Sequence, residues 1–229
     1  MKALILAGGR GTRLRPLTDK IPKSLIPINN IPLIARSIKY LKKFEMTDIT
    51  ICTGYKTKQI EMYVKKNKNF GCKIEYSIEK TPLGTGGAIK KAIKNITDKS
   101  FIVINGDVVT NIDLKKILKK PNTIASNELK TKFGTMKIKN DKILKFNEKT
   151  DVENVWMNPG LYHLNSDIIR ILPNKGSLEA EIFPKLVKMK SLHTVKFKNV
   201  VWHSIDSFKD IELCTEEINS KKHAKYFKY

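Results

Sequence analysis

Three glycines and three arginines crowd one short segment, Leu6-Ala7-Gly8-Gly9-Arg10-Gly11-Thr12-Arg13-Leu14-Arg15-Pro16-Leu17-Thr18, and Pro22-Lys23-Ser24-Leu25 follows it. Glycines let backbone N–H groups close on a polyphosphate, and arginine offers planar, bidentate charge against it. The chain has only five arginines (Arg10, Arg13, Arg15, Arg36, Arg170), so three in one loop is a pointed placement. Two familiar phosphate loops fail here. A dinucleotide fingerprint needs glycine where Leu14 stands, and a Walker-type loop needs Gly-Lys-Ser/Thr, which is absent. Far along the chain, Asn105-Gly106-Asp107 follows an apolar run. A carboxylate at the end of a buried strand packs poorly but suits a divalent cation. The bland alternatives are a tight glycine turn and an aspartate closing a turn.

The elements that must position these groups alternate. Residues 2–6, 48–53, 73–78 and 101–105 read as strands, and 32–44, 56–66 and 86–96 read as helices. That alternation predicts an α/β fold with a doubly wound, mainly parallel sheet, whose ligands sit at the carboxyl ends of strands. The second half changes character. Residues 135–138 and 142–146 flank Asn140-Asp141 as a hairpin, 155–164, 192–197 and 200–205 read as strands, and 177–188 and 208–222 as helices. No composition break appears, so residues 1–229 read as one domain. Residues 1–127 would carry the phosphate loop, and 128–229 a small β-rich substrate-binding lobe.

The glycine–arginine segment with Pro22-Lys23 resembles the signature of the sugar-1-phosphate nucleotidyltransferase family, over a long and nearly unbroken stretch. The resemblance implies a Rossmann-like core and transfer of a nucleoside monophosphate from an NTP to a sugar 1-phosphate, with Mg2+ as cofactor. By the same resemblance Leu6, Ala7, Gly8, Gly9, Gly11 and Thr12 wrap the nucleotide, while Arg13 and Lys23 hold the reacting phosphates. Asp107 is then a metal ligand. Many members carry the second aspartate where this chain has Ser204. However, Ser204-Ile205-Asp206-Ser207 looks like the cytidylyltransferase form, which assigns that role to Asp206, with a helix cap as its plain alternative. Glu79-Lys80-Thr81-Pro82-Leu83-Gly84-Thr85-Gly86-Gly87 matches the base-recognition segment, with Glu79, Gly84 and Thr85 at the base. A carboxylate can accept from two donors of guanine but only one of uracil or thymine, which favours GTP. Gly134, Glu148, Lys149 and Asn158 resemble the sugar-phosphate side, and a mannose or heptose 1-phosphate fits best. Glu179 and Glu181 read as first-turn helix residues behind the cap Ser177.

Composition narrows the rest. The net charge of +22 comes from lysine spread along the chain, which reads as solvated faces, so no nucleic-acid partner is expected. No apolar run is long enough to span a bilayer, and no membrane partner is expected. Cys52, Cys72 and Cys214 are scattered, and the four histidines lack ligand spacing, consistent with a reducing, cytoplasmic setting. Oligomeric state is open, a homo-oligomer included. The competing readings are a UTP- or dTTP-dependent glucose-1-phosphate enzyme, a cytidylyltransferase for a phosphocholine-like substrate, and a catalytically silent nucleotide-sugar-binding subunit.

Overall fold

The computed structural model describes residues 1–94, 96–131, 134–148 and 151–227. Eight strands form the main sheet: β1 Ala3–Ala7, β2 Asp48–Thr53, β3 Lys73–Ile78, β4 Ser100–Asn105, β5 Thr123–Lys130, β6 Asp151–Met157, β7 Leu161–Asn165 and β8 His193–Phe197. The order across it is β3-β2-β1-β4-β7-β5-β8, with β6 continuing the line of β7 along the same edge of β5. β1 to β4 run parallel, and β7 is antiparallel to both neighbours. Five helices matter to the site: α1 Leu33–Lys43, α2 Thr57–Lys66, α3 Gly84–Ala92, α4 Phe183–Lys188 and α5 Phe208–Asn219.

The period of two along β1 divides the core. Ala3 and Ile5 face one cluster with Ile34, Ile38 and Leu41 of α1 and Ile60 and Val64 of α2. Leu4 faces the other, with Ile89 of α3, Tyr162 of β7 and Phe183 of α4. Both faces of the sheet are therefore covered, which is why β1 and β4 read as continuous apolar runs. A third cluster, including Leu14, Ile26, Leu33, Val109, Val201, Ile205 and Cys214, underlies the glycine–arginine loop and the start of α5. Among the described residues no helix is long and apolar enough to cross a membrane.

The second half is interleaved with the first. β6, β7 and β8 complete the main sheet, while the hairpin of Thr135–Lys139 and Lys142–Asn147 forms a separate two-stranded sheet. The strand expected over 155–164 is two, broken at Asn158-Pro159-Gly160, where Gly160 has φ +74°. The segments expected over 192–197 and 200–205 do not pair with each other. His193–Phe197 joins β5, and Trp202–Ser204 pairs with Val108–Thr110.

β1 and β4 approach so closely that a Cβ on Gly106 would stand 2.7 Å from the Leu6 carbonyl oxygen. That oxygen is fixed in the sheet and also accepts from the Gly106 N–H. Gly106→Ala is expected to destabilise the protein by about 1–3 kcal/mol through overpacking, read as a lower urea midpoint at unchanged slope.

Candidate active site

β1, β2 and β4 end side by side at Ala7, Thr53 and Asn105, and each is followed by glycine. Gly8, Gly54 and Gly106 have ordinary φ, so close approach and not backbone freedom demands them. Gly11 differs. Its φ is +64°, and a Cβ there would lie 2.9 Å from Lys23 Cβ, so glycine both turns the loop and lets Lys23 lie against it. The buried Thr18 hydroxyl donates to the Gly11 carbonyl at 2.9 Å and pins that turn. Two adjoining cavities of about 280 and 330 Å³ open over these strand ends and share Leu6, Gly9 and Asp107. Ala7, Gly11, Thr12, Arg13, Lys23 and Asp206 line the first, and Gly8, Arg10, Glu79, Gly84, Thr85 and Asn105 the second.

The charged centre lies in the first cavity. Lys23 Nζ donates to Asp107 Oδ2 at 2.6 Å and to Asp206 Oδ1 at 2.8 Å, and Arg13 Nη2 donates to the same Asp206 oxygen at 2.7 Å. The two aspartates are 99 positions apart in sequence by their numbers, and a short ladder joins them. Ser204 pairs with Val108, and the Ile205 N–H donates to the Asp107 carbonyl at 3.0 Å. Lys23 is only 14% exposed, so this pairing is shielded, whereas Arg13 is largely exposed. Burial opposes the charged form of Asp206, but the Lys23 ammonium, the Ser204 hydroxyl at 3.0 Å and Arg13 outweigh it and hold the carboxyl below its usual range.

Asp206 is not the helix cap. Ser207 caps α5 in a capping box with Asp210, and the Asp206 N–H also donates to Asp210 Oδ2, which leaves the Asp206 carboxylate facing Lys23. The three loop arginines part company. Arg13 joins the charged centre, Arg10 lies over the Tyr55 ring at 5.9 Å, and Arg15 pairs outward with Asp19.

In the second cavity, the Glu79 N–H donates to the Thr53 carbonyl at 2.7 Å, and Oε2 accepts from the Leu83 N–H at 2.9 Å. Its Oε1 fills the space a Gly8 side chain would need, 2.7 Å from an added Cβ. Gly84 has φ +73° and would collide with the Gly176 carbonyl if it carried a Cβ, so packing already requires glycine there. The Thr85 hydroxyl is engaged internally, with Glu179 and the Leu178 N–H. Of the residues expected on the sugar side, Gly134 packs against Phe146 and Glu148 at the base of the hairpin. Asn158 sits apart, bonded to the Tyr162 hydroxyl and the Gly160 N–H. Lys149, with Phe133 and Thr150, lies outside the described residues. Sequence reasoning gave no site role to Arg10, Asn105 or Ser204. It read Glu179 as a first-turn helix residue, yet its carboxylate points into the hydrogen-bond network just described.

The family described as nucleotidyl transferase matches residues 2–221. D-glycero-alpha-D-manno-heptose 1-phosphate guanylyltransferase of Aneurinibacillus thermoaerophilus is 36% identical over 84% of this chain and 88% of its own length. Mannose-1-phosphate guanyltransferase 2 of Candida glabrata is 35% identical over 92% of this chain, which spans 62% of that relative. The crystal structure of HddC from Yersinia pseudotuberculosis complexed with GMP-PN superposes with a TM-score of 0.74 at 31% identity, over 95% of this chain and 99% of that one. The strand-end glycines, the shared ammonium and the matched span lead to one assignment: this chain belongs to the nucleotidyl transferase family.

Proposed function

We propose that this chain transfers a guanylyl group from GTP to a sugar 1-phosphate of the mannose or heptose type and releases pyrophosphate. The observation that carries the chemistry is the single Lys23 ammonium shared by Asp107 and Asp206, beside the glycine loop at the carboxyl ends of the parallel strands. The relatives' names and the Glu79 carboxylate above Gly8 support the choice of donor. An acceptor phosphate oxygen attacks the α-phosphorus, and the bond from that phosphorus to the bridging oxygen of the pyrophosphate breaks. The second ionisation of a phosphate monoester lies near about pH 6, so the nucleophile is already charged and requires no base. The histidines fit that account. His163 is buried against backbone carbonyls and Ser100, and His203 and His223 pair with Glu217.

Two carboxylate oxygens converging on one ammonium also suit one divalent cation. Among the described residues no group of three or more His, Cys, Asp or Glu could hold a metal, so phosphates and water would complete its shell, the usual manner for Mg2+. Mg2+ bound there would neutralise charge developing on the phosphates. Asp107 and Asp206 would hold it, and Lys23 and Arg13 would turn from the aspartates to the triphosphate. A cytidylyltransferase is the second reading, favoured by the position of Asp206 two residues beyond Ser204.

Pyrophosphate release across GTP, UTP, dTTP and CTP with mannose, heptose, glucose and choline phosphates is expected to peak for GTP with mannose or heptose 1-phosphate. A peak for CTP with phosphocholine would overturn the proposal. Glu79→Gln should lower kcat/KM for GTP at least about tenfold while sparing UTP. Asp206→Asn should lower kcat/KM at least about tenfold in a protein that still folds, and Ser204→Ala should do much less. Lys23→Met should lower turnover comparably yet tighten Mn2+ binding to the nucleotide-free protein, read by calorimetry, because it removes the competing cation. Unchanged metal affinity would contradict that competition.

A further inference from the structure

Glu179 holds a carboxylate whose described partners are all hydroxyls. Its Oε2 accepts from Thr85 Oγ1 at 2.6 Å and from Ser177 Oγ at 3.0 Å, and its Oε1 accepts from the Tyr162 hydroxyl at 3.2 Å. Asn158 Nδ2 donates to that tyrosine oxygen at 2.9 Å. The direction of this chain is set at both ends. Tyr162 is fully buried, and burial, with the Glu179 charge next, pushes its phenol up, so it keeps its proton and directs it at the carboxylate. Thr85 Oγ1 accepts from the Leu178 N–H at 2.8 Å, which leaves its own proton for Glu179.

One arm runs to the nucleotide cavity, and the other to Asn158, which the family resemblance assigns to the acceptor side. Thr85 lines the cavity that Glu79 borders, in the first turn of α3. Asn158 opens the break between β6 and β7, where the Gly160 carbonyl accepts from the Asn105 N–H at 2.9 Å beside Asp107. Between them, Leu178–Ile182 forms a π-helical turn, a local irregularity that recurs at functional sites, and it carries Glu179 inward. The first turn of α3 is clamped to the same segment. The Gly86 N–H donates to the Gly176 carbonyl, and the Gly176 N–H donates to the Leu83 carbonyl. Removing the carboxylate would leave two sheltered hydroxyls without their acceptor, one on each arm.

We propose that Glu179 is a positioning residue that couples the nucleotide cavity to the acceptor side, holding Thr85 directly and Asn158 through Tyr162. The identity of the two substrates rests on the guanylyl-transfer reading. The test is steady-state kinetics on the full chain with GTP and mannose 1-phosphate, alongside calorimetric binding of a non-hydrolysable GTP analogue. Glu179→Ala should raise both KM values at least about fivefold while kcat falls by less than about threefold. Glu179→Gln keeps an oxygen acceptor for Thr85 but turns an amide donor to Tyr162. It should restore nucleotide affinity to within about twofold and leave the acceptor KM raised. For Glu179→Ala, a lower Tm with both KM values within about twofold of wild type, or a shift in one KM alone, would overturn the proposal, as would a Glu179→Gln variant that shifts neither value. If Glu179→Ala does not fold, Thr85→Val and Tyr162→Phe carry the test. Their combined loss in kcat/KM should fall short of the product of the single losses, and a multiplicative loss would count against the coupling. Should the wild type use another donor–acceptor pair, the guanylyl reading falls, and the same variants read the network with that pair.

Discussion

One ammonium between two carboxylates is the constraint on which the rest of the structure depends. Asp107 and Asp206 would repel each other at this separation without a cation between them. The fold makes their approach unavoidable: the ladder of Val108–Thr110 with Trp202–Ser204 brings the chain back to β4 more than ninety positions later, as its numbering shows. Lys23 reaches the gap because Gly11 lets it lie against the loop, and Pro22 starts the 3-10 turn Lys23–Leu25 with an extended approach. Three segments distant in sequence therefore share one electrostatic solution. The apolar cluster beneath them, with Leu14, Val109, Val201 and Ile205, keeps that solution rigid.

Much of this was legible in the sequence, for definite reasons. β2 and β3 match the expected spans to the residue because their alternation of apolar and polar residues leaves little latitude. Asp107 was visible because a buried strand ends there. β5 escaped notice. Thr123, Ser126 and Asn127 lie buried within it, and their polarity hid a strand that lies one in from the edge of the sheet. Hydrogen bonds pay for that polarity: Thr123 Oγ1 donates to the Lys120 carbonyl and Ser126 Oγ to the Val195 carbonyl. α3 begins at Gly84, ahead of the expected residue 86, because a glycine–threonine run reads as loop until its packing on Gly176 is known. Glu179 looked like a dipole-facing acid because nothing in its spacing reports a π-helical turn.

Two polar side chains that the family resemblance assigns to ligand binding are already held by the protein. The Thr85 hydroxyl and both ends of the Asn158 amide are occupied by the protein. Those two groups are oriented by the protein, while Ser24 Oγ and Asn105 Oδ1 at the cavity walls have no partner among the described residues. Preorganisation of this kind favours geometry over contact number, since ordering has been completed before any ligand arrives.

The hairpin of Thr135–Lys139 and Lys142–Asn147 carries a different implication. It contributes no strand to the eight-stranded sheet, and none of its described residues lines either cavity over the strand ends. Its length, its turn and its exposed apolar side chains are consequently free to vary without disturbing the shape of those cavities. The hairpin is a module in the engineering sense: another one, grafted between the ends of β5 and β6, would inherit intact cavities over the strand ends.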